Sequence, residues 1–291
     1  MKERERDSEL VLNCNGRILD CSVPQLMGIL NTTPDSFFDG GRYDELEQAV
    51  ARGKQLWEAG ASIIDVGGAS SRPGAQEVPV EEELRRVIPV IRALRETLPD
   101  AVLSVDTWRA DVAAAAVKAG AAMINDISAG ALDEAMFPTV ASLGVPYVLM
   151  HMQGRPDTMQ VAPVYEEVVV EVIDFLIHRV LQLRALGVKD IILDPGFGFG
   201  KTVAHNFELL RRLGELKSVL QLPILVGVSR KSMIYKTLGT SAEVALNGTT
   251  ALHMVALQQG ASILRVHDVK EAAEVRSLFY ALYPTTGGMP M

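Results

Sequence analysis

The chain has 291 residues, of which 48% are hydrophobic and 22% charged, and its formal net charge at pH 7 is −8. This apolar fraction excludes a mainly disordered chain, and no apolar stretch approaches the roughly 20 residues of a membrane-spanning helix. The negative charge argues against binding to nucleic acid or to an anionic membrane by charge alone. Cys14 and Cys21 could pair with each other, but two cysteines make no disulfide framework, and we expect a cytoplasmic protein.

The chain begins with a predicted hairpin and continues with eight short apolar runs. Asn15-Gly16 is a strong signal for a two-residue turn, and it joins residues 10–13 to residues 17–21. Each later run is nearly continuous in apolar residues, as expected of parallel strands that are covered by helices. The predicted strands are 26–30, 62–66, 102–105, 123–125, 146–150, 191–193, 224–226 and 263–266.

Segments with helical periodicity separate the predicted strands. They are residues 46–59, 80–98, 110–119, 132–142, 165–186, 207–213, 242–259 and 269–280. Eight strand–helix pairs within about 250 residues predict an α/β fold, a (β/α)8 TIM barrel with an N-terminal β-hairpin that plugs its floor. A doubly wound sheet is the main rival, but no G-x-G-x-x-G follows the first strand. We expect residues 10–283 to form a single domain and residues 1–9 and 284–291 to be flexible tails.

Polar, charged and glycine residues follow the predicted strands, whereas the strand bodies contain almost none. Active sites of such barrels lie at the carboxyl ends of the strands, so these residues are candidates for one site. Singly, Asp106 or Asp126 could equally be a helix cap, and the charged stretch 81–86 is expected to be a solvated helix face. The candidates that would share one mouth are Asp106, Asn125, Asp194, Lys231, Arg265 and His267.

Two chemistries coexist among these candidates. Arg72 and the cations after the last two strands suit an oxyanion such as phosphate. Asp106 and Asp194, with Asn125, suit a flat heterocycle that donates several N–H groups, because a carboxylate accepts two of them at once. A metal site made of these oxygens is the alternative, although Mg²⁺ usually bridges one or two protein oxygens to a substrate phosphate. The residues therefore predict an enzyme for a phosphorylated, N–H-rich heterocycle, and they leave the reaction open.

Five motifs resemble those of the dihydropteroate synthase family. They are MGILNTTPDSF at 27–37, SSRPG at 70–74, DPGFGFGK at 194–201, SRK at 229–231 and RVHDV at 265–269. The resemblance covers nearly the whole chain. It implies an enzyme of folate biosynthesis that condenses 4-aminobenzoate with (7,8-dihydropterin-6-yl)methyl diphosphate, releases diphosphate and forms 7,8-dihydropteroate. It also implies a requirement for Mg²⁺ and a homodimer joined through the later outer helices.

The resemblance implies a role for each matching position. The pterin ring would be held by Asp106, Asn125, Asp194 and Lys231. Asn31 would bind the Mg²⁺–diphosphate, and diphosphate would be anchored by Arg265 and His267 with Ser71 beside them. The aminobenzoate pocket would be built by Phe37, Arg72, Pro73, Phe199 and Ser229. The catalytic residues would be Asp106, Lys231, Arg265 and His267.

The chain departs from the family pattern at three positions, of which Ser71, in place of a threonine, keeps the hydroxyl that would contact phosphate. Ala69 stands where a glutamate is usual, which affects how the second loop is held, and Phe38 replaces a small residue near the aminobenzoate or sulfonamide pocket. Two other functions stay open, namely a pterin-binding methyltransferase domain and a non-catalytic paralogue. Lys231 and the RVH motif argue against the methyltransferase, because methyltetrahydrofolate needs no diphosphate anchor.

Overall fold

The computed structural model describes residues 10–32, 42–69, 78–155, 158–159 and 162–284. The side chains of residues 42–44 are outside this description, as are residues 1–9 and 285–291 of the predicted tails. Five residues that were singled out above also lie outside it: Phe37, Phe38, Ser71, Arg72 and Pro73.

Ten strands are present in the described part of the chain. They are β1 (Val11–Cys14), β2 (Arg17–Asp20), β3 (Gln25–Asn31), β4 (Ile63–Gly67), β5 (Val102–Asp106), β6 (Met123–Asp126), β7 (Tyr147–Met150), β8 (Ile191–Asp194), β9 (Leu225–Val226) and β10 (Ile263–Val266). Strands β3 to β10 are parallel and lie in the order β8-β7-β6-β5-β4-β3-β10-β9. A bridge between Leu193 and Ile224 joins the two ends. The predicted TIM barrel is confirmed.

The hairpin β1–β2 closes the amino-terminal end of the barrel. Its buried side chains Leu12, Cys14, Leu19 and Cys21 share one apolar cluster with the first inward residue of each barrel strand. These inward residues are Met27, Ile63, Val102, Met123, Val148, Ile192, Leu225 and Ile263. The hairpin is therefore the predicted plug beneath the barrel floor.

The two cysteines lie at opposite ends of this hairpin, and we predict that they form no disulfide. Cys14 is opposite Arg17, whereas the Cys21 N–H donates to the Leu10 carbonyl at 2.8 Å. Four residues of strand separate the two positions by about 13 Å, and a disulfide needs Cα atoms within about 7 Å. Burial raises the pKa of each thiol to about 12. Titration with a thiol reagent should find both thiols unreactive in the native protein and both reactive in denaturant; fewer than two in denaturant without reductant would contradict this.

Ten helices surround the strands within the described residues. They are α1 (Arg42–Glu58), α2 (Val80–Thr97), α3 (Ala110–Ala119), α4 (Met136–Leu143), α5 (Val168–Ala185), α6 (Val203–Arg211), α7 (Leu213–Leu220), α8 (Ser232–Leu238), α9 (Leu246–Gln258) and α10 (Val269–Leu282). None of the helices in the described ranges has the length and apolar character needed to cross a membrane.

Five helix predictions differ from the structure. Two of them differ mainly at the first residue, since α1 begins four residues earlier than predicted and α5 three residues later. The predicted helix 207–213 is wrong in extent, because a capping box at Thr202 starts α6 earlier and a second helix follows Arg212. The helix predicted from residue 132 begins at Met136, since the Asp133 carboxylate accepts from the backbone N–H groups of Ala110 and Ala135 and holds a turn there. The short helix α8 was not predicted, and α9 begins four residues later than expected.

The alternation of side chains along each strand decides which polar residues reach the barrel mouth. In β4, Ile64 and Val66 pack outward in the helix-covered core, and Asp65 and Gly67 therefore point inward. The same alternation in β6 turns Asn125 inward and Asp126 outward. Neighbouring residues in one motif can thus have unrelated roles.

Candidate active site

A guanidinium that bridges two carboxylates forms the centre of the mouth. Arg265 donates from Nε to Asp65 Oδ2 at 2.7 Å and from Nη2 to Asp106 Oδ2 at 2.6 Å. Asn125 Nδ2 donates to the same Asp65 oxygen at 2.9 Å. Three predicted residues therefore meet around Asp65, which was not predicted as a site residue. The other Asp65 oxygen is buried and has no hydrogen-bond partner among the described residues.

One cation serves two acids in this cluster, and the pKa of Asp106 is shifted there. Burial raises the pKa of Asp106 to about 7, against the opposing effect of Arg265, and the charge of Asp65 raises it further. Burial alone would lower the pKa of Arg265, but the two carboxylates more than offset this and raise it. We infer that Arg265 stays charged and that Asp106 is the member that takes up a proton near neutral pH.

Asp194 and Lys231 occupy the mouth beside this cluster. Asp194 is 6% exposed, and its Oδ1 accepts from the Gly196 N–H at 2.7 Å. Burial raises the pKa of Asp194, and Lys231 opposes this rise. Lys231 Nζ donates to the Phe197 carbonyl and lies 4.8 Å from the centroid of the Phe199 ring. Burial lowers the pKa of Lys231 to about 8. The charges of Asp194 and Asp106 oppose this fall, and the charge of Arg265 adds to it. The predicted acids and cations therefore share one mouth.

Ser229 and His267 form a polar pair at the ends of β9 and β10. The Ser229 hydroxyl accepts from the His267 backbone N–H at 3.2 Å and lies 3.1 Å from His267 Nδ1. The hydroxyl hydrogen can be donated to Nδ1, and in that tautomer the ring proton is on Nε2. This arrangement orients the imidazole so that its Nε2–H can serve an anion.

Asn31 ends β3 on the same edge of the barrel. A Cβ placed on Gly67 would lie 3.7 Å from Asn31 Oδ1 and 3.6 Å from Asp106 Oδ2. The glycine therefore keeps open the space between an amide oxygen and a carboxylate oxygen. Within the described ranges, no group of three or more His, Cys, Asp or Glu side chains could hold a metal ion.

Asp126 does not belong to the site. Its carboxylate accepts from the Tyr147 hydroxyl at 2.6 Å and from the backbone N–H groups of Ser128 and Gly130 at 2.7 and 2.9 Å. These contacts fix the turn after β6 on the outer side of the barrel. The alternative of a helix cap at Asp126 is wrong, because its carboxylate holds a turn and not the start of a helix.

The expected solvated face at residues 81–86 is wrong at Glu83. This side chain is fully buried and forms an ion pair with Arg109, whose Nη2 donates to the Val78 carbonyl at 2.6 Å. Arg86 donates to the Gly68 carbonyl at 2.9 Å. These contacts hold Gly68 and Val78, which lie near the two ends of the second loop. Ala69, where the family pattern has a glutamate, directly follows Gly68.

Sequence patterns could have identified Asp65 but not the pair His151 and Lys201. Asp65 is the one charged residue in an otherwise apolar strand. It lies two residues from Ile63 and two from Gly67, which point inward as it does. His151 and Lys201 are buried next to Asp194, and their Nδ1 and Nζ atoms are 2.8 Å apart. Fifty residues separate them in the chain, so only the fold brings them together.

Comparison with known proteins assigns this site to a family. Residues 27–267 match the family described as pterin binding enzyme. The chain is 48% identical over 269 residues to the dihydropteroate synthase of Escherichia coli (strain K12), a match that covers 90% of this chain and 93% of that relative. The chain belongs to the dihydropteroate synthase family. As a member of that family it is an enzyme, a transferase of an alkyl group.

Solved dihydropteroate synthase structures have the same fold. The Xanthomonas albilineans enzyme with 4-aminobenzoic acid is 45% identical, covers 96% of this chain and 100% of its own, and has a TM-score of 0.89. The enzyme from the same organism in complex with 7,8-dihydropteroate is 44% identical, with a TM-score of 0.85 and coverage of 94% and 99%. These relatives favour a synthase over the methyltransferase alternative.

Proposed function

We propose that this dihydropteroate synthase family member condenses 4-aminobenzoate with (7,8-dihydropterin-6-yl)methyl diphosphate in folate biosynthesis. The products are 7,8-dihydropteroate and diphosphate. The observation that carries the proposal is the meeting of Asp65, Asp106 and Asp194 with Arg265 and Lys231 in one barrel mouth. The carboxylates suit the N–H groups of a pterin, and Arg265 with the neighbouring His267 suits the departing diphosphate.

The carboxylates are assigned to the pterin ring. Asp194 accepts from its N–H groups in the manner of a two-point carboxylate contact, with Asn125 and Lys231 beside the ring. The unpartnered oxygen of Asp65 offers one further buried acceptor, which a ligand N–H would satisfy. Each of these interactions requires the pterin to enter the mouth edge-on to the acids.

The cations are assigned to the leaving group. Arg265 and His267 stabilise the negative charge that grows on diphosphate as the C–O bond at the pterin methylene breaks. The bonding electrons leave with the oxygen, and the ionised Asp106 stabilises the pterin cation that remains. The aminobenzoate nitrogen then attacks the methylene carbon and loses a proton. A primary isotope effect on the amine proton, without any trapped cation, would contradict this order of steps.

The residues present fit a Mg²⁺ ion held jointly by protein and substrate. Asn31 supplies a neutral oxygen beside the space that Gly67 keeps open, and the described residues offer no all-protein cage. Such a donor set is typical of Mg²⁺ that is bound mainly through phosphate oxygens and water. When bound, the ion would offset part of the diphosphate charge.

An assay of diphosphate release tests the proposal. With both substrates and Mg²⁺ present, diphosphate and 7,8-dihydropteroate should appear in equal amounts. A methyltransferase domain would release no diphosphate, and a non-catalytic paralogue would bind pterin without forming product. Chelation of Mg²⁺ should reduce release by at least about a hundredfold, because several kcal/mol of charge stabilisation are lost.

The pKa values in the mouth predict a bell-shaped pH profile. Below about pH 7 Asp106 takes up a proton and no longer stabilises the cation, so kcat/KM for the pterin substrate should fall about tenfold per pH unit. Above about pH 8 Lys231 loses its charge, which gives the alkaline limb. Steady-state kinetics from pH 5.5 to 9.5 test this. Asp106→Asn should lower the rate and remove the acid limb; an acid limb that persists in this variant would contradict the assignment.

We further propose a cytoplasmic homodimer. The two buried, unpaired cysteines are consistent with a reducing compartment. Exposed apolar side chains on and beside the later helices, at Leu238, Val244, Leu278 and Leu282, support an interface there. Light scattering should give twice the chain mass of 31.5 kDa, and Leu278→Glu should shift the protein towards the monomer.

A further inference from the structure

A buried lysine–histidine pair lies directly behind Asp194, on the outer side of the strands. His151 follows β7, and its backbone N–H donates to the Asp194 carbonyl at 2.9 Å. Lys201 follows the glycine-rich loop after β8, and only 3% of it is exposed. The pair contacts the segment that bears Asp194, but neither residue has a part in the chemistry described above.

Three acceptors surround the Lys201 ammonium. They are His151 Nδ1 at 2.8 Å, the Gly196 carbonyl at 3.0 Å and the Phe199 carbonyl at 3.2 Å. Burial lowers the pKa of Lys201 to about 7. In its ammonium form Lys201 uses all three N–H donors on these acceptors, and His151 then presents its Nδ1 lone pair with the proton on Nε2. Burial lowers the pKa of His151 to about 2, which agrees with a neutral ring.

Both backbone acceptors belong to residues that position substrate-binding groups. Gly196 donates its N–H to the Asp194 carboxylate, and Phe199 places its ring under the Lys231 ammonium. Gly196 also lies so close to the residue after β7 that a Cβ would be 1.8 Å from the His151 carbonyl oxygen. Lys201 therefore ties together the two parts of the loop that orient Asp194 and Lys231.

We propose that Lys201 and His151 are positioning residues that hold the loop after β8 in the conformation that binds the pterin. The three hydrogen bonds of Lys201 fix both the Gly196 turn beside Asp194 and the Phe199 ring beside Lys231. His151 contributes the one side-chain acceptor, and its ring is held against Phe175 at 4.9 Å and Tyr165 at 6.1 Å. This inference rests on the proposed pterin site.

The test compares two substitutions at one position. His151→Asn keeps an acceptor near the place of Nδ1, whereas His151→Leu has a similar size and no acceptor. Both lose the aromatic contacts, so both should unfold at lowered temperatures, and His151→Leu at the lower one because it also leaves a buried Lys201 N–H without an acceptor; affinities are therefore compared where both variants are folded. We expect His151→Leu to weaken the binding of dihydropterin diphosphate with Mg²⁺, measured by calorimetry, by at least about tenfold and His151→Asn by less than about threefold. Equal affinities of the two variants would overturn the proposal.

Lys201→Met keeps the inference testable if His151→Leu does not fold. It should raise KM for the pterin substrate at least about tenfold and KM for 4-aminobenzoate by clearly less, because only the Phe199 contact of Lys201 touches the pocket assigned to 4-aminobenzoate. Unchanged or equally raised KM values would overturn the positioning role. Asp194→Asn distinguishes this failure from failure of the proposed function, because intact pterin binding in that variant would contradict the pterin site itself.

Discussion

Asp194→Asn is expected to weaken the binding of the pterin substrate by roughly a hundredfold. The amide keeps an oxygen that accepts from the Gly196 N–H. This hydrogen bond, 2.7 Å long in the parent protein, stabilises the loop. Its NH₂ group, however, faces the N–H donors of the heterocycle and leaves them unpaired. Two buried donors without partners cost about 3 kcal/mol, which corresponds to this loss of affinity. Calorimetry with the pterin substrate measures the effect directly.

Asp126→Asn is the matched control for this prediction. Asp126 is fully buried, as Asp194 nearly is, but it points away from the mouth and accepts from Tyr147, Ser128 and Gly130. The change should lower the melting temperature and leave the pterin affinity of the folded protein within about threefold. Intact affinity in Asp194→Asn, or a selective loss in Asp126→Asn, would show that the ring is bound elsewhere.

Arg265→Met is expected to remove activity and much of the stability of the barrel. The change leaves the fully buried Asp65 and its neighbour Asp106 without their shared cation. Breaking a buried ion pair from one side typically costs about 3 to 5 kcal/mol of folding free energy. Diphosphate release should fall by more than about a thousandfold, because the leaving group also loses its anchor. Chemical denaturation and the release assay measure the two effects separately.

A second substitution separates the two effects of Arg265→Met. Asp65→Asn in that background removes one of the stranded charges and should restore part of the stability without restoring diphosphate release. Arg212→Met is the surface control, because Arg212 also bridges several carboxylates but does so outside the mouth. Full activity in the stabilised double variant would show that Arg265 has a structural role only.

The strands could be predicted closely because their signal is local. All eight apolar runs correspond to observed strands within one or two residues, and the hairpin follows from Asn15-Gly16. The helix boundaries between residues 200 and 246 were less predictable. There the Thr202 capping box and the tertiary contacts of Arg212 decide where helices begin and end, and neither changes the apolar periodicity.

The site could be predicted only in part, because the sequence does not give the direction of each side chain. Asn125 and Asp126 are adjacent, yet one enters the mouth and the other fixes a turn. Asp65 was missed because it lies within a strand and not after one. Lys201 and His151 are far apart in the chain, so their contact depends on the register between β7 and β8.

Simultaneous binding of two fragments of the substrate tests the central claim most directly. A hydroxymethylpterin without phosphate should bind to the acid side of the mouth, and diphosphate with Mg²⁺ should bind to the cation side. Calorimetric titration of each fragment in the presence of the other should show that both are bound at once, with Asp194→Asn losing only the pterin and His267→Gln mainly weakening diphosphate. Mutual exclusion of the two fragments would contradict the account, because acids and cations would then not form two sides of one site.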